Sequence, residues 1–448
     1  MDKFGVERIY MNNFEKLLVT VFFIEVFVGG GGRLFVDFGF LSLRQVLFIG
    51  LILTFIFRII KEKAYTNLEV NTFFRMNPVT IGVYLLIAWF FVSAIVGYSN
   101  GHSPSDIVTD FFRVSFFAAY FPLAYYISED RFTKQRIITI LKYCVFGVAV
   151  YTILIALLGK TVFSANFEPY KQFLKSIMTD NIVLRPSHSI FYKSHFFVFV
   201  GFILSLNAFL SKRFTKIDIV NIFLCALSLF WSETRGFLLA IMAALLMLIV
   251  IDVKIASDSS KGIVNKVKSL GRNSALIKKS IILLLISFSM VFLYKYMTLE
   301  RYEETITESE SLENVNDTSI NIRLEYYEDS KRILSESPAN FLLGTGYGTA
   351  IAGKTWGIEM SFLDILVEQG TLGLLLWFFL FFLVYYHYYS ANKQGAVLTD
   401  VDRSFAAIFF GVLLLTNTNP FINNSIGITY FLIILILSRQ MKERASNI

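Results

Sequence analysis

The chain is a series of apolar runs separated by polar links. A helix needs about 20 consecutive apolar residues to cross the hydrocarbon of a membrane. By that criterion about 12 runs qualify, which predicts an all-α integral membrane protein with a single polytopic domain over residues 1–448. The predicted spans are centred near residues 24, 50, 89, 117, 148, 200, 224, 244, 289, 378, 411 and 430.

Lys and Arg are distributed unevenly among the polar links. The basic links are 61–75, 128–136, 211–216, 253–279 and 438–444. The short links 97–106 and 416–425 contain neither Lys nor Arg. Because cytoplasmic loops carry the excess of positive charge, we predict that the basic links and both termini are cytoplasmic. The links without Lys or Arg then lie outside, with two larger external loops at 159–189 and 299–358.

Composition supports the membrane assignment and excludes other classes of protein. Of the 448 residues 55% are hydrophobic and only 17% are charged, whereas soluble domains have about a quarter of their residues charged. The net charge of +7 does not indicate nucleic-acid binding, because the basic residues lie in clusters between apolar runs. Cys144 and Cys225 lie inside apolar runs, and the sequence has no metal-ligand spacing. No metal, cofactor or nucleic acid is therefore expected.

The stretch WSETRGFLLA, residues 231–240, places Arg235 between two apolar runs. The run that follows is predicted to begin at the outer face, where a helix N-terminus presents unpaired N–H groups and positive charge. Ser232 or Thr234 can cap that helix. An arginine fixed there predicts an anion site, most naturally for phosphate. The alternative is an arginine that extends to the lipid headgroups with Glu233 as its partner.

Further arginines are predicted at the same face. Arg185 precedes the sixth span, Arg323 begins a helix in the large external loop, and Arg113 lies within the fourth span. Arg33 follows the first span and is most simply an anchor at the interface. Together with Arg235 these residues are candidates for an anion pocket. Arg113 is the deepest of them and therefore the most costly to bury.

The large external loop contains a helix and a glycine-rich turn. In RLEYYEDSKRILSES, we predict a helix with Leu324, Tyr327 and Leu334 on one face, ended by Ser337-Pro338. The turn FLLGTGYGTA that follows is not a nucleotide-binding loop, because no strand precedes it and it faces outward. In the C-terminal third, Asp400 and Asp402 form an Asp-x-Asp pair on a short link, which we interpret as a solvated turn rather than a metal site.

The order of four segments resembles the O-antigen polymerase and O-antigen ligase superfamily of bacterial polysaccharide assembly. The segments are RPSHSIFYKSHF, SETRGFLLA, RLEYYEDSKRILSESPANFLLGTGYGTAI and EMSFLDILVEQGTLGLLLWF. The resemblance implies a glycosyltransferase-C-like architecture in the bacterial inner membrane and glycosyl transfer at its outer face. It also implies an undecaprenyl-diphosphate-linked oligosaccharide and membrane lipids as partners, with a chain-length regulator protein as an optional further one.

The resemblance assigns roles to particular residues. Arg235 and Arg323 occupy the positions of family arginines that bind the carrier diphosphate, and we expect Arg185 and Arg113 to assist them. Ligases have a histidine where this chain has Glu359, which favours a polymerase over a ligase. Glu359 is either a general base for the acceptor hydroxyl or an acidic residue that stabilises a helix N-terminus by about 0.3–1 kcal/mol.

Three functions remain open at this point. The first is polymerisation of lipid-linked repeat units, in which a hydroxyl of the next unit receives the growing glycan. The second is ligation of a finished glycan to another acceptor. The third is a flippase, which moves the lipid-linked glycan without chemistry and is expected to line the full membrane depth with charge. His188 and His195 are alternative proton carriers without a matching family position.

Overall fold

A computed structural model describes residues 11–32, 42–61, 76–178, 181–185, 187–258, 274–303, 318–355 and 357–446. Arg33, the centre of the basic link 253–279 and the acidic start of the large external loop lie outside the described residues. The described chain is mainly helical, as predicted.

The described residues of the N-terminal half form eight helices and a short hairpin. The elements are α1 (Asn13–Val28), α2 (Leu43–Lys61), α3 (Pro78–Ser99), α4 (Pro104–Ser115), α5 (Tyr120–Tyr126), α6 (Lys134–Lys160), α7 (Phe167–Met178), β1 (Ile182–Leu184), β2 (Ile190–Tyr192) and α8 (His195–Leu210). A 3₁₀ turn, Phe116–Ala119, joins α4 to α5. Strands β1 and β2 pair antiparallel, with Val183 opposite Phe191. The predicted loop 159–189 therefore contains helix α7 and strand β1, and strand β2 begins directly after it.

The described residues of the C-terminal half form eight further helices. They are α9 (Lys216–Trp231), α10 (Arg235–Asp258), α11 (Ser274–Glu303), α12 (Thr318–Ser335), α13 (Pro338–Leu343), α14 (Ser361–Lys393), α15 (Asp400–Leu415) and α16 (Ser425–Ala445). The interior is packed with Phe, Tyr, Ile, Leu and Val from helices distant in sequence. Side chains of α11, in contrast, are mostly exposed, as expected of a helix that faces lipid.

Each of the twelve predicted centres lies in a helix or in the 3₁₀ turn. Within the described residues, eight helical segments are long and apolar enough to cross a membrane. The other four, α1, α8, α9 and α15, have 16 residues each and are about 24 Å long at 1.5 Å per residue. The membrane core is about 30 Å thick, so a total of twelve crossings stays a prediction.

The polar links gather at two opposite ends of the helix bundle. At one end, here called the basic end, Lys134 pairs with Asp402 at 2.8 Å and Lys279 pairs with Asp252 at 2.6 Å. At the opposite end, the Asn100 side chain donates to the Thr345 carbonyl at 2.9 Å. The links predicted to be cytoplasmic thus meet one another, and so do those predicted to be external. Which end faces the cytoplasm stays a prediction.

Helix α14 is broken near the end opposite the basic end. Gly370 has φ +67° and ψ −178°, a conformation that is essentially restricted to glycine. The turn formed by Gly344–Thr345–Gly346 packs against this break. The Thr345 N–H donates to the Val367 carbonyl at 2.8 Å, and the Gly346 N–H donates to the Glu368 carbonyl at 3.1 Å. The glycine-rich turn therefore supplies backbone donors to a helix break, which an apolar environment requires.

Two predictions are wrong, one about the face of helix α12 that is buried and one about the link that contains Asp400 and Asp402. Helix α12 buries Tyr326, Ser330 and Ile333, whereas Leu324 and Tyr327 are more than half exposed. The small Ser330 allows close approach on the buried face, which the apolar pattern did not reveal. Asp400 and Asp402 are also not solvated. They begin helix α15, are 8% and 3% exposed, and pair with Arg403 and Lys134.

We expect Gly370→Ala to destabilise the protein. A Cβ atom at this position would lie 2.3 Å from the Leu342 carbonyl oxygen, and the backbone conformation alone costs a non-glycine residue about 1–3 kcal/mol. The free energy of unfolding in detergent should fall by at least that amount. Gly147→Ala in α6 is the control, because no atom lies within 4 Å of its Cβ position. An equal effect of both substitutions would contradict this interpretation.

Candidate functional site

The β1–β2 hairpin presents Arg185 to the start of helix α10. The Arg185 Nη2 donates to the Thr234 hydroxyl at 3.1 Å. Its Nε and Nη1 atoms are buried and have no hydrogen-bond partner among the described residues. The Ser187 hydroxyl donates to the Glu233 carboxylate at 2.6 Å, so the hairpin loop is fixed to the SETRG turn at two points. Buried guanidinium donors without a protein acceptor are uncommon, and they are available to an anion or to water.

Arg235 is the first residue of α10 and is partly buried. Its guanidinium carbon lies 5.8 Å from the ring centre of Tyr294 on α11, within the range of a cation–π interaction. Glu233, in the turn before it, has the left-handed φ of +47°. Arg235 is therefore held at a helix N-terminus, where the backbone also favours an anion.

The uncharged link 416–424 connects this turn to Arg323. A Cβ atom on Gly236 would lie 2.5 Å from the Thr418 hydroxyl, so the start of α10 packs directly on Thr418. The Thr418 carbonyl accepts a hydrogen bond from Arg323 Nη2 at 3.2 Å. Arg323 Nε is buried without a hydrogen-bond partner in the described part of the chain.

Arg323 also contacts Glu359. Its Nη2 lies 3.0 Å from the Glu359 carboxylate, and the two side chains are 26% and 47% exposed. Contacts thus run from Arg185 through Thr234 and Thr418 to Arg323 and Glu359. Arg185, Arg323, Glu359 and the backbone on either side of Arg235 therefore lie at one end of the bundle, and the chemical roles of these residues remain predictions.

Helix α12, which carries Arg323, is held in place by apolar packing and by one hydrogen bond to its Asp329 side chain. Tyr326 and Ile333 pack with Ile351 and Ile358 in a small apolar cluster. The Ala352 N–H donates to the Asp329 carboxylate at 2.8 Å, and this hydrogen bond, ahead of the Arg332 charge, lowers the pKa of Asp329. Because the pKa of Asp329 is lower in the folded state, this hydrogen bond stabilises the docked helix at pH values above the ordinary Asp pKa. The stabilisation is lost as the pH falls through the lowered pKa.

Arg113 has different surroundings from the other arginines. Its guanidinium lies 2.8 Å from Asp364, 2.9 Å from Glu368 and 3.3 Å from Asp110. All three carboxylates are at most 2% exposed. With its charge engaged by three buried acids, Arg113 gives no support to its predicted contact with the diphosphate, and we assign it a structural role.

The Arg113 cluster supports the segment that carries Glu359. Asp364 accepts hydrogen bonds from the Asn423 amide at 2.7 Å and from the Ile358 N–H at 3.4 Å. The cluster thereby joins α4, the first turn of α14 and the link 416–424. Sequence reasoning missed these supporting residues. The acidic pair Asp364 and Glu368, four positions apart in an apolar run, was the available indication of a buried cation.

The two histidines considered as proton carriers lie in structural positions. His195 is fully buried, accepts from the Tyr192 N–H at 2.8 Å and contacts the Ser228 hydroxyl at 3.0 Å. The His188 ring packs on Phe167 at 4.1 Å between ring centres. Of the three proton acceptors considered, Glu359 is the one that contacts an arginine of the candidate site in the described structure.

Comparison with known proteins supports the predicted resemblance. Residues 220–378 match the family described as O-antigen ligase. The chain is also 26% identical over 422 residues to an O-antigen polymerase from Shigella flexneri, an alignment that covers 93% of each protein. The resemblance inferred from the motifs is thus confirmed. The matched region contains Arg235, Arg323 and Glu359, whereas Arg113 and Arg185 precede it.

We expect Arg113→Ala and Glu359→Gln to differ sharply in their effect on stability. Removal of Arg113 leaves three buried carboxylates without their cation, which should lower the free energy of unfolding by about 3–5 kcal/mol. Glu359 forms a half-exposed ion pair, so its neutralisation should change stability by less than about 1 kcal/mol. Denaturant titration in detergent measures both. Comparable losses of stability for the two variants would contradict the interpretation that Arg113 supports the structure and Glu359 belongs to the candidate site.

Proposed function

We propose that the protein polymerises undecaprenyl-diphosphate-linked oligosaccharide repeat units at the outer face of the bacterial cytoplasmic membrane. The observation that carries the proposal is the set of contacts that joins Arg185, Arg323 and Glu359 to the residues on either side of Arg235 at one end of the bundle. The similarity to an O-antigen polymerase over 93% of the chain supports the same function.

In the proposed reaction, a hydroxyl oxygen of the incoming lipid-linked unit attacks the anomeric carbon of the growing glycan. The bond from that carbon to the diphosphate oxygen breaks, and its electron pair leaves with the diphosphate. Arginines stabilise the growing negative charge because their planar guanidinium groups bind two phosphate oxygens at once. The unpartnered nitrogens of Arg185 and Arg323 are suited to this role.

Glu359 is the proposed general base. Its carboxylate would take the proton of the attacking hydroxyl as the new glycosidic bond forms. Half exposure leaves it accessible to an acceptor sugar, and its contact with Arg323 sets it beside the proposed diphosphate site. The scheme requires neither a metal nor a nucleotide.

The proposal of a lipid-linked substrate is supported by an apolar groove below Arg235. The groove lies between α10 and α11 and has a volume of about 480 Å³. Met242 lines it two helical turns below Arg235, and Val291 lines it one turn below Tyr294. A polyprenyl chain whose diphosphate is bound at Arg235 would leave the site along this groove.

Ligation is the second candidate, favoured by the match of residues 220–378 to the O-antigen ligase family. Reconstitution of the purified protein with lipid-linked repeat units separates the possibilities. Longer glycans from the repeat units alone support a polymerase. Transfer only to an added acceptor, without growth, would identify a ligase, and movement across the bilayer without bond formation would identify a flippase. Either of the last two results would contradict the proposal.

Arg235→Lys should lower polymer yield by about tenfold or more, because lysine keeps the charge but loses the two-point contact with phosphate. The yield is measured in reconstituted vesicles by gel separation of the glycans. Arg136→Lys, an exposed position at the basic end, is the matched control and should leave the yield unchanged. Normal yield and chain length from Arg235→Lys would refute its assigned role.

A further inference from the structure

A charged cavity lies at the basic end of the bundle, remote from the arginine site. It has a volume of about 520 Å³ and lies between the α8–α9 turn, the end of α10 and the starts of α11 and α15. Four basic residues and two acidic residues line it, which leaves an excess of two positive charges. The charged residues are Lys212, Arg213, Lys279, Arg403, Asp252 and Asp400.

The two carboxylates of the cavity are already neutralised by the basic residues on its walls. Asp252 pairs with Lys279 at 2.6 Å and with Arg403 at 2.7 Å. Asp400 also pairs with Arg403. The excess positive charge therefore belongs to the α8–α9 turn, where Lys212 is exposed and Arg213 is 74% exposed at 3.6 Å from Asp400.

Lys212 has the left-handed φ of +56° because it ends helix α8, where the Lys212 and Arg213 N–H groups donate to the Phe209 and Ala208 carbonyls. The detail that suits the cavity to an anion is a buried donor on Arg403. Arg403 Nε is buried and has no hydrogen-bond partner in the part of the chain that the structure describes. An oxygen atom of a bound anion would satisfy such a donor.

The rest of the lining is apolar, which favours a lipid over a soluble anion. Leu210, Ile255, Ala256 and Leu276 form this part of the wall. Leu276 and Lys279 belong to the first turns of α11, the helix that is exposed along most of its length. A ligand that fits this wall has an anionic head and a hydrocarbon portion beside it.

We propose that this cavity binds the phosphate headgroup of an anionic phospholipid from the adjacent leaflet. Lys212 and Arg213 attract the phosphate, Arg403 Nε donates to it, and the apolar wall contacts the start of the acyl chains. Basic pockets between membrane helices bind anionic headgroups in this way. The site is separate from the polymerase site and does not depend on the function proposed for it.

The test compares retention of phosphatidylglycerol and phosphatidylcholine by the full-length protein in native mass spectrometry. The variant combines Lys212→Gly, which suits the left-handed backbone, with Arg213→Gln. Each basic residue near a membrane surface contributes about 1 kcal/mol to anionic lipid binding, so retention of phosphatidylglycerol should weaken by about 10- to 30-fold. A control with Arg136→Gln and Lys216→Gln removes two exposed charges at the same end and should retain the lipid.

Three outcomes would overturn the proposal. The first is equal retention of the two lipids by the wild-type protein. The second is equal retention of phosphatidylglycerol by the cavity variant and the control. The third is full displacement of the lipid by millimolar inorganic phosphate, which would indicate a site for a soluble anion. A melting temperature within a few degrees of the wild type verifies that each variant is folded.

Discussion

The ion-paired cluster around Arg113 is the interaction on which the candidate site depends. The Arg113 guanidinium, on a side chain that is 17% exposed, and three almost fully buried carboxylates hold α4 against the first turns of α14. In an apolar interior such a cluster is stable only when every partner is present, because an uncompensated charge costs several kcal/mol. Asp364 extends the cluster to Ile358 and Asn423. The segment that carries Glu359 and the link that contacts Arg323 are therefore both fixed by one buried network.

Arginine serves two different purposes in this protein, and the surroundings decide which. Arg44 pairs with Glu25 at 2.7 Å, and Arg113 is matched by more than one carboxylate, so both hold helices together. Arg185 and Arg323 retain buried nitrogens without partners among the described residues, and both lie beside the N-terminus of a long helix. Arg113 Nε is also buried without a partner among the described residues, so at this end of the bundle the number of buried carboxylates around the guanidinium, and not an unpartnered donor, separates the two purposes.

Local sequence patterns predicted the helices, because hydropathy and caps depend on neighbouring residues. The centres of the apolar runs and the helix of the external loop follow from such patterns, whereas the contacts around Arg185 and Arg323 depend on residues distant in the chain. Two of the three partners of Arg113, Asp364 and Glu368, could not be predicted in this way, since they lie 251 and 255 residues away. The buried face of α12 was also mispredicted, because it depends on packing against a turn that comes later in the chain.

The distribution of charge along the bundle favours chemistry at one end over transport through it. At the end opposite the basic end, Arg185 and Arg323 have buried donors without partners among the described residues, so an anion is stabilised there. Deeper, around Arg113, three carboxylates face one guanidinium, and a diphosphate would meet repulsion and a high desolvation cost. A path for a lipid diphosphate requires favourable sites across the whole membrane depth. A site that attracts the anion at the end and opposes its further entry is suited to hold a leaving diphosphate while its sugar is transferred.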